Sequence, residues 1–159
     1  MTELPSLART SGHAPLIIGW KEFIGFPDWG IRRVKVKIDT GARSSALDVL
    51  SYDVRRTDAG LIADLRLALS RKHPERVNVV SAPVLRTVVV SSSTGTREER
   101  PLIEAVIRLG PISKKIQITV TNRSRMLFRM IVGRKALEGD FVVDVSKKYL
   151  LRSAVDSRQ

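Results

Sequence analysis

Asp39-Thr40-Gly41-Ala42 puts a carboxylate, a hydroxyl and a residue without a side chain into one short turn. It follows the alternating run Val34-Lys35-Val36-Lys37-Ile38. Activation of water is the chemistry these types allow. The Asp39 carboxylate can take the proton, and the Thr40 hydroxyl can fix the turn by hydrogen bonds. Gly41 lets a substrate or a second carboxylate come close. Asp-Thr-Gly also occurs in ordinary turns, so the surrounding elements decide its meaning. Asp58-Ala59-Gly60 is a near-copy, but it lacks the hydroxyl and follows Arg55-Arg56-Thr57 rather than an apolar strand.

The elements that must position this turn read as strands. Val34, Val36 and Ile38 fall on one face of residues 32–38, and Arg33, Lys35 and Lys37 on the other, the period of a half-buried strand. Further strands are predicted at 16–20, 45–49, 52–55, 61–69, 76–80, 85–91, 99–109, 115–121, 128–132, 141–145 and 148–151. Ser92, Ser93, Thr94 and Gly95 read as the tip of a hairpin, with Gly95 letting the tip move. Ile131-Val132-Gly133 leads into Arg134-Lys135-Ala136-Leu137-Glu138-Gly139, one helical turn closed by a glycine. Many short strands separated by turns predict an all-β domain, closed or nearly closed, with one short helix near its end. Residues 1–15 and 153–159 read as flexible tails around a domain spanning 16–152.

Composition narrows the function. The chain of 159 residues is long enough for one domain with a real core. It has no cysteine, which excludes disulfides, thiol catalysis and cysteine-ligated zinc. Its two histidines, His13 and His73, form no His-x-x-x-His pair, and there is no Gly-x-x-x-x-Gly-Lys phosphate loop. The expectation is no metal and no cofactor. No apolar run approaches the roughly 18 residues of a membrane span. The N-terminus does not read as a secretory signal. A cytoplasmic location is expected.

The net charge is +12. Arg108, Lys114, Lys115, Arg123, Arg125, Arg129, Arg134 and Lys135 lie between residues 105 and 137 with no acidic residue among them. Such a field attracts polyanions, either acidic polypeptide or nucleic acid. Aromatic residues are few, and base-stacking surfaces need them, which argues against nucleic acid. A non-catalytic basic β-barrel that binds acidic polypeptide or nucleic acid remains the alternative to an enzyme.

Four segments together resemble the retropepsin-like aspartic proteases. They are Ile18-Gly19-Trp20-Lys21-Glu22, the run from Lys35 to Leu47, Glu99-Arg100-Pro101-Leu102-Ile103, and Ile131-Val132-Gly133-Arg134-Lys135-Ala136-Leu137. They are most similar to a bacterial branch labelled ATP-dependent zinc proteases, which is associated with RimK-type ATP-grasp glutamate ligases.

The resemblance implies a closed β-barrel in which Asp39, Thr40 and Gly41 are catalytic and the hairpin is a flap over the cleft. Ile131, Val132 and Gly133 would thread behind the turn. It implies a C2 homodimer, because one chain carries one Asp-Thr-Gly and the chemistry needs two carboxylates. It also suggests glutamate-rich or oligoglutamylated tails as substrate. Ala42, Arg43, Arg97, Arg100 and Arg134 would then lie at the substrate beside the hairpin tip, the guanidinium groups reading carboxylates.

Overall fold

The computed structural model describes residues 12–70, 72–91, 94–122 and 127–151. Its strands are β1 (Leu16–Ile18), β2 (Lys21–Phe26), β3 (Ile31–Ile38), β4 (Ser45–Asp48), β5 (Ser51–Thr57) and β6 (Gly60–Leu67). They continue with β7 (Asn78–Ser91), β8 (Arg97–Leu109), β9 (Ile112–Thr121), β10 (Met130–Val132) and β11 (Phe141–Val143). One α-helix, α1 (Arg134–Leu137), stands between the last two. The chain is all-β, as its alternation predicts.

β3 follows the predicted parity. Val34, Val36 and Ile38 enter the core, and Arg33, Lys35 and Lys37 face out. Full burial of each aliphatic side chain contributes about 1.5–3 kcal/mol. Strands in the main sheet run in the order β2-β3-β10-β4-β9-β8-β7-β6-β5. The sheet curls until β2 meets β8 at one residue pair, Gly25 with Arg108. Inside the curl, Ile24, Leu47, Ile103, Ile107, Ile118, Val120, Met130 and Val132 form the core. β1 and β11 make a separate parallel pair.

Two predicted strands are one. β7 runs unbroken through Ser81-Ala82-Pro83-Val84, where the sequence suggests a gap between 76–80 and 85–91. It pairs with β6 as far as Pro83 and with β8 from Val84 onward, with a register shift between Val84 and Arg86. Proline lacks a donor, so it fits where a strand changes partners. β7 and β8 then project as a long hairpin. No described residue from 84 to 99 is buried.

The predicted strand at 148–151 is absent, because a buried carboxylate captures that segment. Glu22 is 1% exposed. Its carboxylate accepts backbone N–H groups from Gly19 at 2.7 Å, Leu150 at 2.9 Å and Leu151 at 3.3 Å. Tyr149, immediately before Leu150, has a positive φ of 53°. Glu22→Gln puts an amide donor among three donors. It is expected to cost about 1–3 kcal/mol, read as a lower midpoint in urea unfolding at unchanged slope. A midpoint equal to that of the wild type would remove this role.

Candidate active site

The Asp39 turn is built by backbone bonds from three elements. Asp39 N–H donates to Val132 O on β10 at 2.9 Å, and Ala42 N–H closes the turn on Asp39 O at 3.2 Å. Arg134 N–H and Lys135 N–H at the start of α1 donate to Ala42 O at 2.8 Å and Arg43 O at 3.1 Å. The Arg134 guanidinium adds a bond from Nη1 to Thr40 O at 2.9 Å. From β4, the buried Ser45 hydroxyl accepts Gly133 N–H at 3.1 Å.

β10 makes this possible by lying between β3 and β4. It is parallel to β3, with Val132 opposite Ile38, and antiparallel to β4, with Met130 opposite Leu47. The chain that leaves β3 for the turn and returns along β4 therefore straddles β10. Gly133 sits at the closest approach. A Cβ there would stand 2.5 Å from Ser44 O, 2.7 Å from Ser44 C and 2.9 Å from Ala42 O, all backbone atoms. Gly41 is less constrained, since its Cβ would meet the Asp39 Oδ1 at 3.3 Å.

What the turn presents outward is chemical. Asp39 is half-buried, and Thr40, Gly41 and Arg43 are exposed. Within the chain, the Asp39 carboxylate accepts Gly41 N–H on Oδ1 at 3.0 Å. Among the described residues no hydrogen bond engages the Thr40 hydroxyl. A carboxylate is thus held on a rigid backbone with its face to solvent, ready to meet water or a second carboxylate.

The structure brings together Asp39, Thr40, Gly41, Ala42, Arg43, Ile131, Val132, Gly133 and Arg134. Thr94, Gly95 and Arg97 are exposed on the β7–β8 hairpin. Ser92 and Ser93 lie outside the described residues. Arg100 differs from Arg97. It is 7% exposed in the stem of the hairpin and pairs through Nε with Glu98 Oε1 at 3.1 Å. Ser45 is the supporting residue that the sequence reading passes over. Its signal is a second serine after the turn, at the first position of an inward-facing strand.

The basic run from 105 to 137 is dispersed by the fold. Lys114 pairs with buried Asp140 at 2.6 Å, Arg129 with buried Asp48 at 3.1 Å, and Arg134 braces the turn. Arg123 and Arg125 lie outside the described residues. Among the described residues, no cluster of three or more His, Asp or Glu side chains is placed to hold a metal ion. None of the helices there is long and apolar enough to cross a membrane.

An all-β chain with a single Asp-Thr-Gly turn straddling a hydrophobic-hydrophobic-glycine strand defines the retropepsin-like class. The family model described as retropepsin-like aspartic endopeptidase RimB matches residues 17–153, and the chain belongs to this RimB-like family. Relatives include a probable alpha-L-glutamate ligase of Shewanella pealeana, 29% identical over 135 residues, which are 85% of this chain and 30% of that protein. Another probable alpha-L-glutamate ligase, from Parasynechococcus marenigrum, is 31% identical over 134 residues, 81% of this chain and 28% of its own length. The chain therefore spans less than a third of these relatives. The crystal structure of Lpg0085 from Legionella pneumophila, a DUF785 protein of unknown function, superposes with a TM-score of 0.73 at 20% identity. That match covers 87% of this chain and 99% of the other, a shared fold.

Proposed function

We propose that this chain is a metal-independent aspartic endopeptidase, active as a homodimer, that cleaves glutamate-rich or oligoglutamylated protein tails. One observation carries the reading: the solvent-facing Asp39 carboxylate on a turn locked by β10, α1 and β4. Two such carboxylates, one from each protomer about 3 Å apart across a two-fold axis, share one proton. Repulsion keeps one protonated. The ionised partner takes a proton from water as the water oxygen bonds to the carbonyl carbon. The protonated partner donates a hydrogen bond to the carbonyl oxygen. The amide nitrogen then leaves with a proton, and the peptide bond is broken. Thr40 reaches across to the partner's turn, and the β7–β8 hairpin covers the cleft.

Self-association has a further support in the β1–β11 pair. Ile17 and Val142 stand opposite each other in register and are 58% and 53% exposed, an apolar face on a narrow sheet. The substrate class rests on the net charge and on the ligase names of the relatives. A domain that shares ancestry with part of a glutamate ligase fits removal of what such an enzyme adds. Residues 16–152 would form the working domain, in the cytoplasm with its ligase.

Arg43, exposed on the turn, is the first candidate to read a substrate carboxylate. Arg43→Ala is expected to lower kcat/KM on glutamate-rich peptides about tenfold, the value of one charge-assisted contact. Unchanged kcat/KM would exclude Arg43. The reading itself is tested by mass spectrometry of an oligoglutamate-tailed peptide incubated with the wild type, with and without a chelator. Internal cleavage that ignores the chelator is expected. Intact peptide, or cleavage lost with the chelator, would sink it.

The second reading is a domain that holds acidic tails without cutting them, which the ligase names favour. Tail binding by the wild type with no product would establish it.

A further inference from the structure

Five cationic residues from separate parts of the sequence line one cavity. It has a volume of about 400 Å³ and is lined by Arg33 and Lys35 of β3, Lys72 and Arg76 of the segment before β7, and Arg129 before β10. No Asp or Glu lines it. Its remaining wall is largely apolar, with Phe23, Ile31, Leu69, Leu127 and Phe128. The volume falls in the range of ligand sites, about 300–1,000 Å³. Lys35, Lys72 and Arg76 are exposed, and no carboxylate pairs with them among the described residues. The Arg129 Nε is buried without a hydrogen-bond partner there. Arg129 answers Asp48, but the exposed Lys35, Lys72 and Arg76 still raise the local potential, which an anionic occupant would relieve.

The cavity is connected to the Asp39 turn by the outward face of β3. Arg33 and Lys35 line it, Lys37 is the next residue on that face, and Asp39 follows two residues later. At roughly 6.6 Å per pair of residues, Lys35 lies about 13 Å from Asp39 along the strand. An extended peptide covers that span in about four residues.

We propose that this cavity is a second binding site, an anchor for a run of glutamate side chains a few residues away from the bond held at Asp39. The inference rests on the acidic-tail reading above. Glutamate matches both walls, since its methylenes lie on the phenylalanine and leucine side chains while its carboxylate meets guanidinium and ammonium groups. A nucleic acid would demand more stacking surface than two phenylalanines give.

The test uses the full chain carrying Asp39→Asn, so that binding is read apart from cleavage. Fluorescence anisotropy follows labelled oligoglutamate peptides of increasing length, with an oligoglutamine peptide and a single-stranded oligonucleotide as comparisons. Affinity is expected to rise with glutamate number and to fall as salt is raised. Adding Lys35→Glu and Arg76→Glu should weaken it about tenfold or more, and the milder pair Lys72→Gln and Arg76→Gln should weaken it less. Binding that is absent, equal for oligoglutamine, or unchanged in both pairs of variants would overturn the site. Tighter binding of the oligonucleotide at equal salt would overturn the choice of ligand. Wild-type cleavage of a tailed peptide, scored separately, decides the peptidase reading whatever the anisotropy gives.

Discussion

Asp39→Asn is expected to abolish peptide cleavage while leaving the fold intact. A general acid–base group contributes about 10²–10⁴ in rate. Both members of the pair are lost at once in a homodimer, so the fall should reach the top of that range. Stability should hardly change. Asp39 Oδ1 accepts Gly41 N–H at 3.0 Å, and an asparagine keeps an oxygen that can do the same. The backbone bonds that fix the turn use no side-chain atom of residue 39. Initial rates on a tailed peptide, alongside thermal unfolding, separate the two effects. A mutant that still cleaves would move the chemistry elsewhere in the chain.

Gly133→Ala is expected to do the opposite, harming stability and activity together. The φ of Gly133 is −93°, which alanine adopts without strain, so the obstacle is steric alone. The new Cβ would collide with Ser44 and Ala42 backbone atoms at 2.5–2.9 Å, and no flexible side chain can yield. Overpacking of this kind costs about 3 kcal/mol or more, roughly 6–12 °C in Tm for a chain of this size. Relief requires β10 and the turn to part, which displaces Asp39. A shift near 1 Å costs on the order of 10² in rate. Gly95→Ala is the comparison. Its φ of 85° strains an alanine, yet a Cβ there meets nothing within 4 Å, so its effect should be local to the hairpin tip. Equal Tm for wild type and Gly133→Ala would contradict the threaded arrangement.

Much of this was legible in the sequence where local pattern and fold agree. The parity of β3 shows its buried face because one side meets the core and the other meets water. The turn, the glycine after β10 and the helical turn that follows are all short-range features with their own residue signals. The misreadings occur where distant partners decide. Pro83 looks like a strand breaker, but β7 is changing partners there, and a missing donor costs little. Residues 148–151 read as a last strand, yet the Glu22 carboxylate, more than a hundred residues away, takes two of their N–H groups.

Charge is the clearest case. The run at 105–137 draws attention because it is contiguous, but Lys114 and Arg129 answer buried aspartates, and Arg134 holds the turn. The cation-rich cavity takes only Arg129 from that run and gathers the other four from β3 and the segment before β7. No window along the chain contains it. Arg100 shows the converse, since the resemblance sets it at the substrate beside the hairpin tip, whereas the fold buries it and pairs it with Glu98.

The central claim is that two Asp39 carboxylates, one from each protomer, form the site. It is tested most directly by measuring hydrolysis of an oligoglutamate-tailed peptide by a fixed amount of wild type, co-folded with a rising excess of the Asp39→Asn chain. Mixed pairs would carry a single carboxylate, so activity per wild-type chain should fall toward zero as the excess grows. Activity per wild-type chain that stays constant would mean that one chain suffices, and it would contradict the account.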